Sequence, residues 1–162
     1  MNAYQRYAVV VAAFATALYL ALVVAAFGML SLITDLEVIS DRDAGAFVGP
    51  TMVGITVIGV ALSMVMLGIR RPPAQQRIYI GLPILVGLGA YFVYLIVGAI
   101  LAVVGEGDPF AFVLFLGGHL GDPFAISIGV LAIPVVIAYE ATLVARGHGG
   151  SRPHWPWERD ED

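Results

Sequence analysis

Four long apolar stretches dominate this chain and limit what it can fold into. They cover residues 7–33, 47–69, 78–104 and 123–145. Each is longer than the roughly 20 residues that an α-helix needs to cross a hydrocarbon core about 30 Å thick. Because that core offers the backbone no water, such stretches favour helices, which satisfy their own N–H and C=O groups. The sequence therefore predicts an all-α, polytopic membrane protein built as a four-transmembrane-helix bundle.

The composition supports a membrane protein over a soluble one. Hydrophobic residues make up 60% of the chain and charged residues 12%, whereas a soluble domain contains about 25% charged residues. Each helix of a soluble bundle would also need a polar face, and none of the four stretches has one. We interpret residues 1–146 as the transmembrane domain. Residues 147–162, rich in Gly, Pro and charge, are predicted to form a disordered cytoplasmic tail.

The charged residues predict the orientation in the membrane. All eight basic residues are arginines, and the loops after the first stretch and before the fourth are acidic. The short link between the second and third stretches carries Arg70, Arg71 and Arg77, and Arg146 follows the last stretch. With both termini in the cytoplasm, seven arginines lie inside and only Arg42 lies outside. The positive-inside rule therefore predicts a plasma-membrane protein with cytoplasmic N and C termini.

The first stretch carries alanine at every fourth position. Ala13, Ala17, Ala21 and Ala25 lie along one side of a helix and are called the alanine stripe below. In lipid there is little hydrophobic drive between helices, so small residues that allow close backbone approach favour association. We expect the alanine stripe to pack against a neighbouring helix of the bundle. The sharper alternative is a contact with a second copy of the chain.

The segment between the third and fourth stretches contains the motif Gly-Asp-Pro-Phe-Ala twice, at 107–111 and 121–125. Asp before Pro favours a helix start, because the carboxylate caps free N–H groups and Pro suits the first turn. Asp108 is therefore predicted to begin a short helix, and Asp122 to cap the last span. The short helix, at about 109–118, cannot cross the membrane. It either lies in the outer interface or enters the bilayer as a re-entrant element.

Glu140 is the one ionisable residue that the pattern places inside a span. Ionisable residues within membrane helices are candidates for function, because burying their charge in hydrocarbon is unfavourable. However, Glu140 lies less than two helical turns from Arg146, close to the cytoplasmic boundary. One interpretation is a carboxylate that reaches headgroup water or pairs with an arginine of the 70–77 link. The other is an ion or proton site.

With Glu106 nearby, His119, Asp108 and Asp122 form an acidic outer group with one imidazole. A metal site needs three or more converging ligands, and both aspartates already have predicted capping roles. We therefore favour structural caps beside an exposed histidine over a divalent-cation site. No cofactor is predicted.

The predicted tail contains the only two tryptophans of the chain. Trp155 and Trp157 flank Pro156 next to the acidic terminus. They would either anchor the tail at the cytoplasmic interface, where Trp is favoured, or form a short peptide that a cytoplasmic partner binds.

Several chemical classes are excluded by the sequence. The absence of cysteine excludes disulfides, thiol redox chemistry and iron–sulfur clusters. No histidine lies within a span, which excludes a haem held by two intramembrane histidines. No phosphate loop, nucleophile elbow or zinc-protease motif occurs. Nothing in the sequence indicates nucleic-acid binding.

The chain resembles one group of proteins in three features. These are the use of Arg alone as the basic residue, the four-span plan and the tail sequence Arg-Pro-His-Trp-Pro-Trp-Glu at 152–158. The group comprises the small four-span membrane proteins of GC-rich actinobacteria, which belong to families of unknown function. The resemblance covers most of the chain and implies a bacterial membrane protein. It implies no activity and no site residue.

We expect a non-enzymatic accessory or assembly subunit that sits in the lipid bilayer and acts through helix–helix contacts. Its partners would be a larger membrane complex or further copies of itself. The alternative is a small transporter or channel component that uses Glu140 and an acidic outer mouth. An enzyme working at the outer surface through His119 and Asp122 is the third possibility.

The orientation is testable with reporters fused to the chain. Green fluorescent protein fused after residue 162 should fluoresce, and alkaline phosphatase at the same place should be inactive, because the C terminus is predicted to be cytoplasmic. As a matched control, the same two reporters fused after residue 107 should give the opposite pair of signals. Active phosphatase at residue 162 would contradict the predicted orientation.

Overall fold

A computed structural model describes residues 3–34, 47–70 and 80–148. These residues form five helices, α1 (Ala3–Thr34), α2 (Val48–Arg70), α3 (Gly81–Glu106), α4 (Ala111–His119) and α5 (Pro123–His148). Helices α1, α2, α3 and α5 are each long and apolar enough to cross a membrane. The prediction of an all-α polytopic membrane protein with a short helix before the last span is confirmed.

Helices α1 and α5 extend beyond the apolar stretches that predicted them. Helix α1 begins at Ala3, and α5 continues to His148, two residues into the segment predicted to be a tail. A helix can continue past the hydrocarbon because its backbone bonds do not depend on lipid. The rest of that segment, including Trp155 and Trp157, lies outside the described residues.

The four long helices form a ring in which α1 and α3 each pack against both α2 and α5. Two buried hydrogen bonds join α1 to α5. The Tyr19 hydroxyl donates to the Ile128 carbonyl oxygen at 3.0 Å, and the Tyr139 hydroxyl donates to the Ala8 carbonyl oxygen at 3.4 Å. The earlier residue of α1 is bonded to the later residue of α5, so the two helices are antiparallel. Each bond gives the buried hydroxyl of a tyrosine a hydrogen-bond partner, which lipid cannot supply.

Glycines bring α3 and α5 into close contact. A Cβ atom built on Gly87 would lie 2.7 Å from the Gly129 carbonyl oxygen, and one built on Gly129 would lie 2.9 Å from the Gly87 carbonyl oxygen. Both distances are shorter than van der Waals contact, and the opposing atoms belong to backbone that cannot rotate away. Glycine at both positions therefore sets the spacing of the two helices, as small residues do in membrane bundles.

The outward surface of the bundle is as apolar as its interior. Large side chains such as Phe14, Leu62, Leu85 and Phe92 are exposed on α1, α2 and α3. In water a continuous apolar surface of this kind promotes aggregation, whereas hydrocarbon solvates it. The surface is that of a protein whose surroundings are lipid.

The alanine stripe lies on this outward surface, so the expectation that it packs within the bundle is wrong. Ala13, Ala17, Ala21 and Ala25 are all exposed. The inward side of α1 is formed by Ala8, Ala12, Tyr19 and Val23. Because small residues occur on both sides of α1, their spacing alone did not indicate which side would meet the bundle.

The short helix α4 packs against one member of this ring. It doubles back from the C-terminal end of α3 and lies along it. A Cβ atom on Gly98 would lie 2.5 Å from the Phe115 ring, and the Tyr91 hydroxyl donates to the carbonyl oxygen of Leu120, the residue after α4. Since Tyr91 lies in the middle third of α3, α4 reaches about halfway along that helix. The interfacial and the re-entrant placement of α4 both stay predictions.

The close contact between α3 and α5 predicts different effects for two glycines of one helix. Gly87→Ala should lower the free energy of unfolding by about 1–3 kcal/mol, because the new methyl group overpacks against the Gly129 backbone. Gly89→Ala should be neutral, or stabilising by up to about 1 kcal/mol, because no neighbouring atom lies within 4 Å of its Cβ position and Ala is the better helix former. Circular dichroism during titration of mixed micelles with sodium dodecyl sulfate would measure both. Equal losses of stability would contradict this account of the packing.

Candidate functional site

Polar groups meet the apolar bundle at three levels. The outer turn, residues 107–110, joins α3 to α4; the names outer and inner follow the predicted orientation. The helix break, residues 120–122, joins α4 to α5. The inner end is where Tyr139 and Glu140 of α5 lie beside the start of α1 and the end of α2. Each of these levels contains at least one residue that the sequence marked as a candidate.

At the outer turn the chain reverses direction through a glycine and an aspartate. Gly107 has a φ of 71°, in the left-handed region that favours glycine, and its N–H donates to the Val103 carbonyl oxygen at 2.9 Å. The Asp108 Oδ1 atom then accepts a hydrogen bond from the Phe110 N–H at 2.9 Å. Asp108 is exposed. As predicted, the Asp108 carboxylate binds a free backbone N–H, but α4 begins at Ala111, after Phe110, and not directly after Asp108.

At the helix break a second aspartate performs the same function. The Asp122 Oδ1 atom accepts a hydrogen bond from the Phe124 N–H at 3.0 Å, and Pro123 opens α5. The Asp122 N–H donates to the His119 carbonyl oxygen at 3.1 Å. The carboxylate therefore lies at the positive end of the α5 dipole, where a negative charge is stabilised. Its predicted capping role is confirmed, but α4 continues through Gly117 and Gly118 to His119 instead of ending at the two glycines.

His119 lies at the last residue of α4 and packs against its own helix. Its ring stacks on the Phe115 ring with centroids 4.0 Å apart and planes 11° from parallel. Its Nδ1 atom lies 2.9 Å from the Phe115 carbonyl oxygen. Since a carbonyl oxygen only accepts, Nδ1 is the protonated nitrogen. The side chain is half-buried, not fully exposed as the sequence suggested.

The three residues of the predicted outer group do not form one site. Helix α4 separates Asp108 from Asp122, and its nine residues correspond to about 14 Å of helix. In the part of the chain that the structure describes, no three His, Asp or Glu side chains are grouped as a metal site requires. Asp108 lies at the outer turn, whereas His119 and Asp122 lie deeper, beside the middle of α3.

Glu140 is buried, with 4% of its surface exposed. The hydroxyl of the preceding residue, Tyr139, donates to the Ala8 carbonyl oxygen. The same hydroxyl lies so close to Gly68 that a Cβ atom at that position would collide with it. Because Gly68 is two residues from the end of α2 at Arg70, Glu140 lies near the inner end of the bundle. The Arg146 guanidinium lies 4.0 Å from the centre of the Tyr7 ring at this same end, a cation–π contact. This placement favours the boundary interpretation of Glu140.

Sequence analysis missed two tyrosines of α3 that meet the helix break. The Tyr91 hydroxyl bonds to Leu120. Tyr94 is 1% exposed. Its ring packs edge-on against the Phe27 ring, with centroids 6.3 Å apart. The Phe27 ring in turn packs edge-on against the Phe124 ring, with centroids 5.0 Å apart. The available signal was the occurrence of two hydroxyls three residues apart within an apolar span. A buried hydroxyl needs a polar partner, so such residues indicate a polar group on a neighbouring element.

A groove of about 350 Å³ separates α2 from α3 on the outside of the bundle. Its lining comprises Thr56, Gly59, Val60, Ser63, Leu85, Val86, Gly89, Ala90 and Val93. No neighbouring atom lies within 4 Å of the Cβ positions of Gly59 and Gly89. The two hydroxyl groups in the groove donate to carbonyl oxygens of their own helix, at 2.8 Å each. The groove therefore offers mainly apolar contacts.

These features define a polytopic helical membrane protein whose polar groups serve helix ends and helix–helix contacts. The chain belongs to a family of unknown function (DUF6121), whose model matches residues 1–162. The expectation of a family without an assigned activity is confirmed. No curated protein and no solved structure matches the chain.

Proposed function

We propose that this protein is a non-enzymatic accessory or assembly subunit that binds a partner membrane protein through helix–helix contacts. The observation that carries the proposal is the position of the alanine stripe on the outward surface of α1. Small residues do not improve solvation by lipid. They allow a second helix to approach closely, so that dispersion contacts form along both backbones.

The groove between α2 and α3 gives the proposal a second supporting feature. Its position on the outside of the bundle, with open space above Gly59 and Gly89, would accommodate large side chains of a partner helix. Such a contact combines a protruding side chain with a recess, as helix packing generally does. The alanine stripe and the groove lie on different helices, so one chain would be able to hold two elements of a complex together.

The interior of the bundle supports a role in binding rather than in catalysis. The buried hydroxyls of Tyr19, Tyr139 and Thr56 each donate to a backbone carbonyl oxygen. Such side chains hold helices in position.

The proposed location is the plasma membrane, with both termini in the cytoplasm. Arg70 and Arg146 lie at the inner end of the bundle, whereas Glu106 and Asp108 lie at the outer turn. Separation of charge between the two ends supports this orientation under the positive-inside rule.

The proposal can be tested by enlarging the alanine stripe. Ala17→Leu together with Ala21→Leu should reduce recovery of a partner about tenfold, because a loss of about 1.4 kcal/mol of packing changes an equilibrium constant by that factor. Val104→Leu together with Val130→Leu is the matched control, since it also adds methylene groups at exposed positions but lies on α3 and α5, away from the stripe. The measurement is affinity purification through the C terminus in mild detergent, followed by mass spectrometry and a native gel.

The possible outcomes separate the alternatives. A stoichiometric partner that survives in the control and is lost from the stripe variant would support the accessory role. A complex that contains only this chain would support self-association in its place. Recovery of the wild-type protein as a free monomer would contradict the proposal.

A transporter or channel component is the second candidate. It is favoured by the buried carboxyl group of Glu140 at one end of the bundle and by the acidic outer turn at the other. Buried carboxylates in membrane helices often belong to ion or proton pathways.

In this case Glu140→Gln should abolish proton- or cation-driven flux in proteoliposomes, because the amide cannot carry the charge. Asp108→Asn, a change of the same kind at an exposed position, should leave most of the flux. Equal flux through the wild-type protein and the Glu140→Gln variant would remove this candidate.

A further inference from the structure

The groove of about 350 Å³ between α2 and α3 is a recess in the outside of the bundle. Its lining includes Gly59 and Gly89, and among the described residues no neighbouring atom lies within 4 Å of either Cβ position. The hydroxyls of Thr56 and Ser63 already donate to carbonyl oxygens of α2. An occupant therefore gains dispersion contacts rather than hydrogen bonds, which indicates an apolar side chain.

Contacts between α1 and α2 fix the level of the groove along the bundle. A Cβ atom built on Gly68 would lie 2.8 Å from the Ala8 Cβ atom. The end of α2 thus meets the start of α1, so the two packed helices are antiparallel. Gly59 precedes Gly68 by nine residues and Ala17 follows Ala8 by nine residues, which is about 14 Å of helix in each case. Gly59 therefore lies level with Ala17.

Helix α3 runs level with α1 and in the same direction. Tyr19 of α1 and Gly87 of α3 contact the adjacent residues 128 and 129 of α5, so they lie at about one level. Further along both helices, the Phe27 ring packs against the Tyr94 ring with centroids 6.3 Å apart. The level of any residue of α3 can therefore be read from its distance along the helix to Gly87.

A large side chain of α1 protrudes at the level of the groove. Gly89 lies two residues beyond the level of Tyr19, beside Ala21, so the groove occupies the level of residues 17–21. There Leu18 is 50% exposed, and its neighbours Ala17 and Ala21 are exposed as well. Small residues beside a large one leave it protruding and allow its helix to approach another closely.

A membrane holds all copies of one protein at one depth and in one orientation. Depth follows from the match between apolar stretches and hydrocarbon thickness, and orientation follows from the flanking charges. Features on two copies can therefore meet only where they lie at the same level. The protruding leucine and the groove fulfil this condition, although they lie on different helices.

We propose that Leu18 of one copy inserts into the groove between α2 and α3 of a second copy. The inference rests on the proposed function, which assigns the same surfaces to helix–helix contacts, and it names the first partner. Each copy carries one protruding leucine and one groove, so the contact is heterologous and repeats around a ring or along a row. The end copies of a row keep one surface free for another membrane protein.

Disulfide cross-linking tests the contact, because the chain has no cysteine and introduced thiols are the only ones. Two differently tagged forms of the full chain are co-expressed, one with Leu18→Cys and the other with Gly59→Cys or Gly89→Cys. The open space at both glycines should allow these variants to fold. After oxidation of the membranes with copper phenanthroline, a product that carries both tags is expected, since a disulfide needs Cα atoms within about 7 Å. Absence of this product at both glycines would overturn the proposal.

Leu32→Cys is the matched control, since Leu32 is also an exposed leucine of α1 but lies about 21 Å further along the helix. It should give no product with either groove variant. Leu18→Cys in both copies should also give none, because a heterologous contact does not bring the two leucines together. A yield with Leu32→Cys, or with Leu18→Cys alone, that equals the yield of the proposed pair would contradict the inference.

The cross-linking result and the pull-down result fail separately. A different membrane protein captured without a double-tagged product would leave the accessory role standing and overturn self-association. A double-tagged product without a captured partner would support self-association and contradict the accessory role.

Discussion

The whole structure depends on one constraint, which is that hydrocarbon offers no hydrogen-bond partner to a peptide group. Within the long helices this constraint is met by the helix itself. Where the helices stop, individual side chains meet it: Asp108 at the outer turn, and Asp122 and Tyr91 at the helix break. The same constraint applies to polar side chains inside the bundle. The hydroxyls of Tyr19 and Tyr139 each donate to a backbone carbonyl oxygen of another helix. Nearly every polar contact that joins the helices follows from this requirement.

The helix break between α4 and α5 is one consequence of this constraint. A continuous helix would need no cap at residues 120–122, whereas the interrupted chain needs one, and the Asp122 carboxylate supplies it by accepting from the Phe124 N–H. The outward surface of α1 differs from these polar positions, because its small residues allow close approach of another helix but offer no polar group.

Neither the fold nor the family assigns a function, so a function has to be argued from particular residues. The fold is a helical bundle, which hosts many unrelated functions, and the family has no assigned function. The alanine stripe and the groove between α2 and α3 are the features that distinguish this bundle. Both lie on its outside and offer contacts to other helices.

Local chemistry in the sequence was enough to predict the four long helices, the short helix before the last span and both aspartate caps. Apolar length, Asp-Pro pairs and charge act over a few residues, so no tertiary contact is needed to interpret them. The tertiary structure decided which side of α1 faces inward, where α4 packs and which tyrosines meet the break. In water the apolar side of a helix identifies the core, but in lipid both sides are apolar and periodicity loses that information. The hydrogen bond from Tyr91 to Leu120 joins two segments distant in sequence, so only their packing reveals it.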